Sequence, residues 1–512
     1  MLHPRRPLRA LINDSNGRCP VCQRGTLGKM APLTLRLSFP PKEAEPMDEA
    51  LVAELKDIVL DQDLLVGEAV RARPAAWDHP EPCAADVVVR PRTTEEVSRI
   101  LETCHRAGRS VVTQGGVTGL VSAAVAQPGE VVLSLERMTA ILEVDTRSRT
   151  MTVESGATLE SVQQAAEAAG LKFPVDLGAR AQCTIGGNVA TNAGGNHVIR
   201  YGMTRAQVLG IEAVLADGTV ISDLSKMLKN NAGYDFKQLF IGSEGTLGVV
   251  TKVVLRLQPK AHSIQTCLAA VPSFEKVMDL LGALQDGLGP TLSAYEVMWT
   301  EFYELATTPP SQNQPPLDHG SPFYVILESH GTDEATDGAR FRDVLTDCME
   351  RDLLEDSVLA TTAADQKRIW SIRDSVEQLQ RLGPIYTFDI SVALVDMESY
   401  VAEVKDRVAK RWPEATVVVF GHLGDGNLHI VVGTGERSFE VRRAVEACVY
   451  EPLASRGGSV SAEHGVGLEK QPYLHLTRGP AEIELMRRIK NALDPKNLLN
   501  PGRVIPPREE PS

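Results

Sequence analysis

CTIGGNVATNAGG, residues 183–195, crowds Gly186, Gly187, Gly194 and Gly195 among Thr184, Asn188 and Asn192. Each glycine permits positive φ and lets the backbone approach a ligand, and successive N–H groups in such turns form concavities suited to phosphate oxygens. Three more segments share this character: QGGVTGL at 114–120, NNAGYD at 230–235 and GSEGTLGVV at 242–250. Any one of them alone is an ordinary tight turn. Together they imply one large ligand. None is a GxGxxG after a first strand or a GxxxxGK[ST] loop, so a Rossmann site and a P-loop are disfavoured. A cofactor gripped by loops from several parts of one domain fits better, and flavin adenine dinucleotide (FAD) is such a ligand.

Around these segments the chain reads as α+β. With 512 residues it exceeds one hydrophobic core, and two or three domains are expected. MDEALVAELKDIVL, from Met47, spaces Leu51, Leu55, Ile58 and Val59 as a helix. DVVVRPRTTEEVSRILETCHRAGRSVVTQGG reads as strand, helix, strand. Short β runs follow through VVLSLERM, MTVESGA, IEAVLADGTVI and GVVTKVVLRLQP. Beyond Pro259 longer helices alternate with SIQTCLAAV, PFYVILESH and ATVVVFGH, and TTPPSQNQPPLDHGSP (307–322) is a Pro-rich loop of the kind that borders a site. The expected organisation is a flexible leader over 1–46, an FAD-binding domain over 47–259, a substrate and metal domain over 260–475, and a segment over 476–512 that returns to the first domain. Residues 1–29 are Arg-rich and poor in acids, as in a transit peptide, yet Pro4, Pro7, Gly17, Pro20, Gly25 and Gly28 break any amphipathic helix. A leader outside the mature protein, with a start at Met30 or Met47, is an equal reading.

The net charge of -14 argues against a nucleic-acid surface, which needs a basic stripe. An anionic substrate would need a local cation, either an Arg or a bound metal. The eight cysteines lack the spacing of a secreted disulfide scaffold, which points to reduced thiols and a cytoplasmic protein, or a mitochondrial-matrix one in a eukaryote. Cys19 and Cys22 form half of a zinc ribbon with no second pair. No apolar run reaches the roughly 18 residues of a membrane span.

GHLGDGNLHI, residues 421–430, sits between two β runs, and Asp425-Gly426 suits a two-residue hairpin turn. That turn would set His422 directly opposite His429, with Cβ atoms about 5 Å apart. The two imidazoles then either share an ion or are hydrogen-bonded surface residues. SVSAEHGVG, residues 459–467, places Glu463 beside His464 in an extended segment, where neighbouring side chains diverge, so one can bind a metal while the other faces substrate. Arg373 in WSIRDSVEQL offers a fork for a carboxylate, or else forms a helix-surface salt bridge.

QGGVTGL, LGARAQCTIGGNVATNAGG, YGMTRAQVLGIEAVLADGT, GYDFKQLFIGSEGTLGVVT and the terminal LLNPGRV together resemble the vanillyl-alcohol oxidase and p-cresol methylhydroxylase superfamily. They are most similar to its FAD-linked D-2-hydroxyacid dehydrogenase branch, which includes D-2-hydroxyglutarate dehydrogenase, D-lactate dehydrogenase and the glycolate oxidase large subunit. The similarity runs from about Val87 to Val504. The resemblance implies a two-domain flavoprotein with a substrate cap. It gives pyrophosphate and flavin contacts to Gln114, Gly115, Gly116, Thr118, Gly119, Leu120, Asp176, Thr184, Gly186, Gly187, Asn188, Asn192, Gly194, Gly195, Glu244, Gly245 and Val250, with Asn500 near the isoalloxazine. No tethering His, Cys or Tyr stands in the QGGVTGL loop, so the FAD is expected to be non-covalent.

The same resemblance gives His422, His429 and Glu463 a divalent cation, usually zinc, makes His464 the catalytic base and sets Arg373 on the substrate carboxylate. A D-2-hydroxy acid such as D-2-hydroxyglutarate or D-lactate would lose its hydroxyl proton to His464 and a hydride to flavin N5. The electrons would pass to an electron-transfer protein or a quinone, and a homodimer is compatible with the family. Glu377, Thr387 and Val431 depart from it, standing where a hydroxyl residue, a Lys and an Asn are usual. An oxygen-using FAD oxidase and a non-catalytic flavin subunit are the alternatives.

Overall fold

A computed structural model describes residues 9–10, 48–76 and 79–508. The expected leader over 1–46 and the Cys19/Cys22 pair lie outside the described residues, apart from a two-residue strand at 9–10. Backbone contacts divide the described chain into two units, one over 48–260, 389–391 and 449–508, the other over 261–388 and 392–448 with residues 9–10. The change at Pro259 is therefore where the first boundary falls, but the return to the first unit begins at Val449 rather than at residue 476. Glu463 and His464 consequently belong to the unit that carries the glycine-rich loops.

That first unit holds two sheets. One orders its strands Leu64–Val66, Val87–Val89, Val131–Ser134 and Val111–Gln114, the last three mutually parallel. A parallel pair needs a crossover. Helix Thr94–Ala107 supplies it, capped by the Thr93 hydroxyl on the Glu96 N–H and ended by Gly108 in the left-handed region. Val97, Ile100, Leu101 and Cys104 form its buried face. The second sheet is antiparallel, in the order Val220–Asp223, Val208–Val214, Val249–Arg256, Thr150–Glu154 and Ile141–Asp145. The opening helix covers Glu49–Lys56, shorter than expected. It ends at Asp57, a weak helix former, while Leu51 and Leu55 inside it and Val59 beyond it still reach the core.

The chain's last helix, Pro480–Leu493, leads Leu499 back beside Val111. Buried Lys490 locks this return. Its ammonium donates to the Thr246 and Leu499 carbonyls at 2.7 and 2.8 Å and pairs with Asp494 at 2.5 Å.

The second unit is built on an eight-stranded sheet in the order Arg9–Ala10, Asp356–Leu359, Ser263–Val271, Phe323–Gly331, Leu292–Trp299, Thr416–Gly421, Asn427–Gly433 and Ile385–Ser391. Tyr303 stacks on Tyr324 at 3.6 Å and Phe302 on Phe420 at 4.2 Å beneath helices Thr300–Thr307 and Ala363–Arg373. The Pro-rich loop packs more tightly than expected. Leu317 is buried, the Tyr303 hydroxyl donates to its carbonyl at 2.9 Å, and Asn313 reaches the Ser371 carbonyl and Ser375 hydroxyl beside Arg373. Among the described residues no helix is long and apolar enough to cross a membrane, and no disulfide forms. Burial pushes the Cys104 and Cys267 thiols up to about 12, as expected of inert structural cysteines.

Because Asp494 would be left buried and unpaired, Lys490→Met should destabilise the first unit by about 3 to 5 kcal/mol. Denaturant unfolding followed by flavin release would measure it, and a midpoint equal to wild type would contradict the lock.

Candidate functional site

Three of the four glycine-rich segments meet in the first unit. A Cβ added to Gly115 would collide with the Thr184 hydroxyl, and one on Gly116 with the Gln182 carbonyl. A Cβ on Gly186 would lie 2.6 Å from the Ser155 Cβ, and one on Gly195, at φ 114, would strike the Asp176 carbonyl. At Gly119, by contrast, nothing lies within 4 Å. The loops thus touch backbone to backbone and leave one side open. Thr184 caps the short helix Ile185–Thr191 through the Gly187 N–H, and Asn192, at φ 51, ends it and accepts the Arg205 N–H at 2.9 Å. The Asp176 carboxylate pairs with Arg180 at 2.9 Å, and Asn188 and Val250 are buried while Leu120 is exposed.

The hydroxyls of Thr113 and Ser155, at the strand ends that feed these loops, are buried without a partner among the described residues. A native fold rarely tolerates this unless a ligand meets the group. The glycine cradle and the orphaned hydroxyls together fit an FAD. NNAGYD is different: it is exposed throughout, with Tyr234 86 % exposed and nothing within 4 Å of Gly233.

Asn500 and Glu244 turn out to be internal ties. The Asn500 amide accepts the Thr113 N–H at 2.9 Å and donates to the Glu244 carbonyl at 2.7 Å, and Gly245 leaves room for it. The buried Glu244 carboxylate accepts the N–H groups of Val466 and Gly467 at 2.7 and 2.8 Å. Burial pushes its carboxyl above the usual range against the pull of those donors.

The loop carrying Glu463 and His464 hangs on Asp389, a residue the sequence reading missed. One Asp389 oxygen accepts the N–H groups of Ala462, Glu463 and His464 at 3.1, 3.1 and 3.0 Å, and the Ser461 hydroxyl at 3.2 Å. Lys470 balances the charge, reaching the same oxygen at 3.3 Å and the Asp389 carbonyl at 3.0 Å. One donor atom from each of Asp389, Glu463 and His464 lies within 4.8 Å of the others. A Cβ on Gly194 would come 2.9 Å from a Glu463 oxygen, so that glycine makes room for the carboxylate. An acid alternating with apolar residues in YTFDISV was the available signal for Asp389.

In the second unit the histidine hairpin differs from the expectation. Phe420, not His422, stands opposite His429. Residues 422–426 form a five-residue loop, with a 3₁₀ turn over Leu423–Asp425 and Gly426 at φ 87. The turn tucks Leu423 fully into the core, which a two-residue hairpin would not do. The His422 and His429 rings nevertheless lie 5.4 Å apart at 80°.

Behind them stands Glu296, the single charged residue of a fully buried strand and also missed. It meets His422 Nδ1 at 2.6 Å through one oxygen and accepts the Arg373 Nε–H at 3.0 Å through the other. Burial alone would raise the Glu296 carboxyl, but the charges of His422 and Arg373 hold it below its usual range. Arg373 is therefore no helix-surface salt bridge: it is 6 % exposed, lies 4.7 Å over the Phe420 ring, and its two terminal nitrogens have no partner among the described residues. A buried guanidinium with an unused fork is suited to a carboxylate ligand. Two adjacent imidazoles, one backed by a carboxylate, form a donor set that fits a divalent metal. Glu377 and Thr387 are exposed.

Two family descriptions match the chain: an FAD binding domain over residues 85–223 and the FAD linked oxidases, C-terminal domain, over 260–504. Among curated proteins, the mitochondrial D-2-hydroxyglutarate dehydrogenase of Bos taurus is 40% identical over 83% of this chain and 77% of its own length. The D-2-hydroxyglutarate dehydrogenase of Xanthomonas citri pv. viticola is also 40% identical, over 85% of this chain and 91% of its own. A putative mitochondrial D-lactate dehydrogenase of Schizosaccharomyces pombe is 36% identical over 82% and 81%. Among solved structures, p-cresol methylhydroxylase with substrate bound aligns at TM-score 0.74 and 18% identity over 91% of this chain and 98% of its own, and an alkyldihydroxyacetonephosphate synthase at 0.70 and 17% over 92% and 89%. At such identities these two establish the fold.

If Asp389 holds the loop as this geometry requires, Asp389→Ala should retain FAD and slow flavin reduction by about 100-fold or more, the cost of misplacing reacting groups by about 1 Å. Absorbance and stopped-flow reduction would measure both, and a rate near wild type would show that the loop is held otherwise.

Proposed function

Because this chain belongs to the FAD-linked D-2-hydroxyacid dehydrogenase family of the vanillyl-alcohol oxidase/p-cresol methylhydroxylase superfamily, we propose that it oxidises D-2-hydroxyglutarate, or a close D-2-hydroxy acid, with the help of a divalent metal. It is an FAD-dependent oxidoreductase that oxidises a D-2-hydroxy acid. The observation that carries the substrate class is the unused Arg373 fork, buried beside Glu296 and aimed by it. A substrate carboxylate binding there would meet the two terminal nitrogens that Glu296 leaves unused.

In this reading Arg373 binds the carboxylate of the substrate and His464 accepts the hydroxyl proton. His422 and His429 would supply imidazoles to a zinc-like ion. FAD, held by the glycine loops, would supply the hydride acceptor. The metal, when bound, lowers the cost of removing the hydroxyl proton as a Lewis acid. Asp389 and Lys470 keep His464 and Glu463 at fixed positions on their loop. Thr113, Ser155 and the glycine loops hold the FAD without a covalent bond, and Asn500 ties the Thr113 strand to the Glu244 turn of that cradle. The two electrons then pass to an electron-transfer protein or a quinone. Glu377 and Thr387 offer no hydroxyl and ammonium pair for a second carboxylate, so D-lactate is a serious competitor to D-2-hydroxyglutarate.

An anaerobic screen of D- and L-2-hydroxy acids, differing in chain length and distal charge, tests the reading directly. Flavin bleaching should be confined to D-isomers, and equal bleaching by the L-series would refute it. His464→Ala should keep the flavin spectrum and abolish reduction; turnover near wild type would put the base elsewhere. Metal analysis of dialysed, active protein should find about one divalent ion per chain, and active protein without metal would remove the ion from the reaction.

A further inference from the structure

We infer that Glu296 is the positioning residue that couples His422 to Arg373, so that one buried carboxylate sets both the affinity for a divalent ion and the affinity for the hydroxy acid's carboxylate. This rests on the roles proposed above for those two side chains. Leu292–Trp299 is buried at every position, and Glu296 is its single charged residue. A carboxylate there is tolerated only when it is fully paired. Its pairing is divided, one oxygen to His422 Nδ1 at 2.6 Å and the other to Arg373 Nε at 3.0 Å. The carboxylate cannot rotate toward one partner without losing the other.

Each contact also decides which atoms its partner presents. An Nδ1–H donated to a carboxylate fixes the tautomer with its lone pair on Nε2, as metal-binding histidines require. An Arg anchored through Nε presents Nη1 and Nη2 as a pair, the edge that grips a carboxylate. The corner is closed by Phe420, which carries the Arg373 guanidinium on its face at 4.7 Å and lies 5.2 Å from the His429 ring. Metal-side and anion-side groups therefore share one support. An anion on Arg373 draws that cation's charge away from Glu296 and leaves more of the carboxylate's charge for His422, strengthening its hold on an ion. The reverse follows by linkage.

The test uses FAD-loaded protein stripped of metal, with Zn2+ as the probe in competition with a chromophoric chelator. Glu296→Gln should bind Zn2+ about 10- to 100-fold more weakly. At saturating Zn2+ its KM for D-2-hydroxyglutarate should rise about tenfold or more, because a charge-assisted contact is lost. FAD content should match wild type, while the unfolding midpoint falls because buried Arg373 loses its counter-charge; a general loss of folding would lower FAD content as well. Either affinity within twofold of wild type overturns the coupling. If Glu296→Gln does not fold, Glu296→Asp keeps the charge but is one methylene too short for both partners, and the same two readouts and limits apply. Wild-type protein that binds no Zn2+ would bring down the metal reading and this inference together. Wild type that binds Zn2+ as tightly as Glu296→Gln would bring down the inference alone.

Discussion

Gly115 and Gly116 press so closely on Thr184 and the Gln182 carbonyl, and Gly195 on the Asp176 carbonyl, that none of the three glycines can carry a Cβ. That contact fixes the first unit's architecture. The all-valine strand Val87–Val89, the strand Val111–Gln114 and the capped helix between them exist to deliver one loop to the contact, and the short helix Ile185–Thr191 delivers the other. The terminal return through Lys490 and Asn500 then fastens the first loop's strand at Val111 and Thr113. A cofactor site built this way depends on what is missing from the side chains. Among the polar atoms left over there are the Thr113 and Ser155 hydroxyls, buried without a partner among the described residues.

The chemistry is organised by carboxylates buried where the fold would otherwise be apolar. Asp389, Glu244 and Glu296 each gather at least two donors. Taking such a charge out of water is expensive, and the expense is met only when every donor arrives in position. A misplaced loop would forfeit the pairing, so the same interactions that hold the acids also define the geometry of His464, Glu463, His422 and Arg373. Asp389 is the extreme case, with three successive backbone N–H groups turned onto one oxygen. Residues chosen for reaction and residues chosen for rigidity are separate here.

How much of this was legible in the chain follows from which forces are local. Glycine runs, helix caps such as Thr93 and β-branched runs are local, and the strand–helix–strand unit follows from them. His422, His429, Glu463, His464 and Arg373 stood out in the chain as residue types in a recognisable pattern. Their supports did not, because Glu296, Asp389 and Lys470 gain meaning only from partners 126, 75 and 81 positions away in the chain. Periodicity counts such acids as interruptions in a strand. NNAGYD stands apart: its composition matches the other glycine-rich loops, yet it lies exposed, and composition alone does not separate a cradle from a surface turn.

The hairpin shows why an incorrect local geometry can still predict the right neighbours. A two-residue turn at Asp425-Gly426 would oppose His422 with His429, whereas the observed pairing opposes Phe420 with His429. The difference is two residues, and side chains on a strand alternate with a period of two. An even slip leaves every side chain on its original face, while an odd slip would have sent His429 to the other side of the sheet. The same slip brings Phe420 beneath Arg373 and moves His422 off the strand end, where Glu296 can take its Nδ1. The burial of Leu423 drives the longer turn. The core's demand for that leucine, not the turn's preference for Asp-Gly, is what sets His422 between its carboxylate and its partner imidazole.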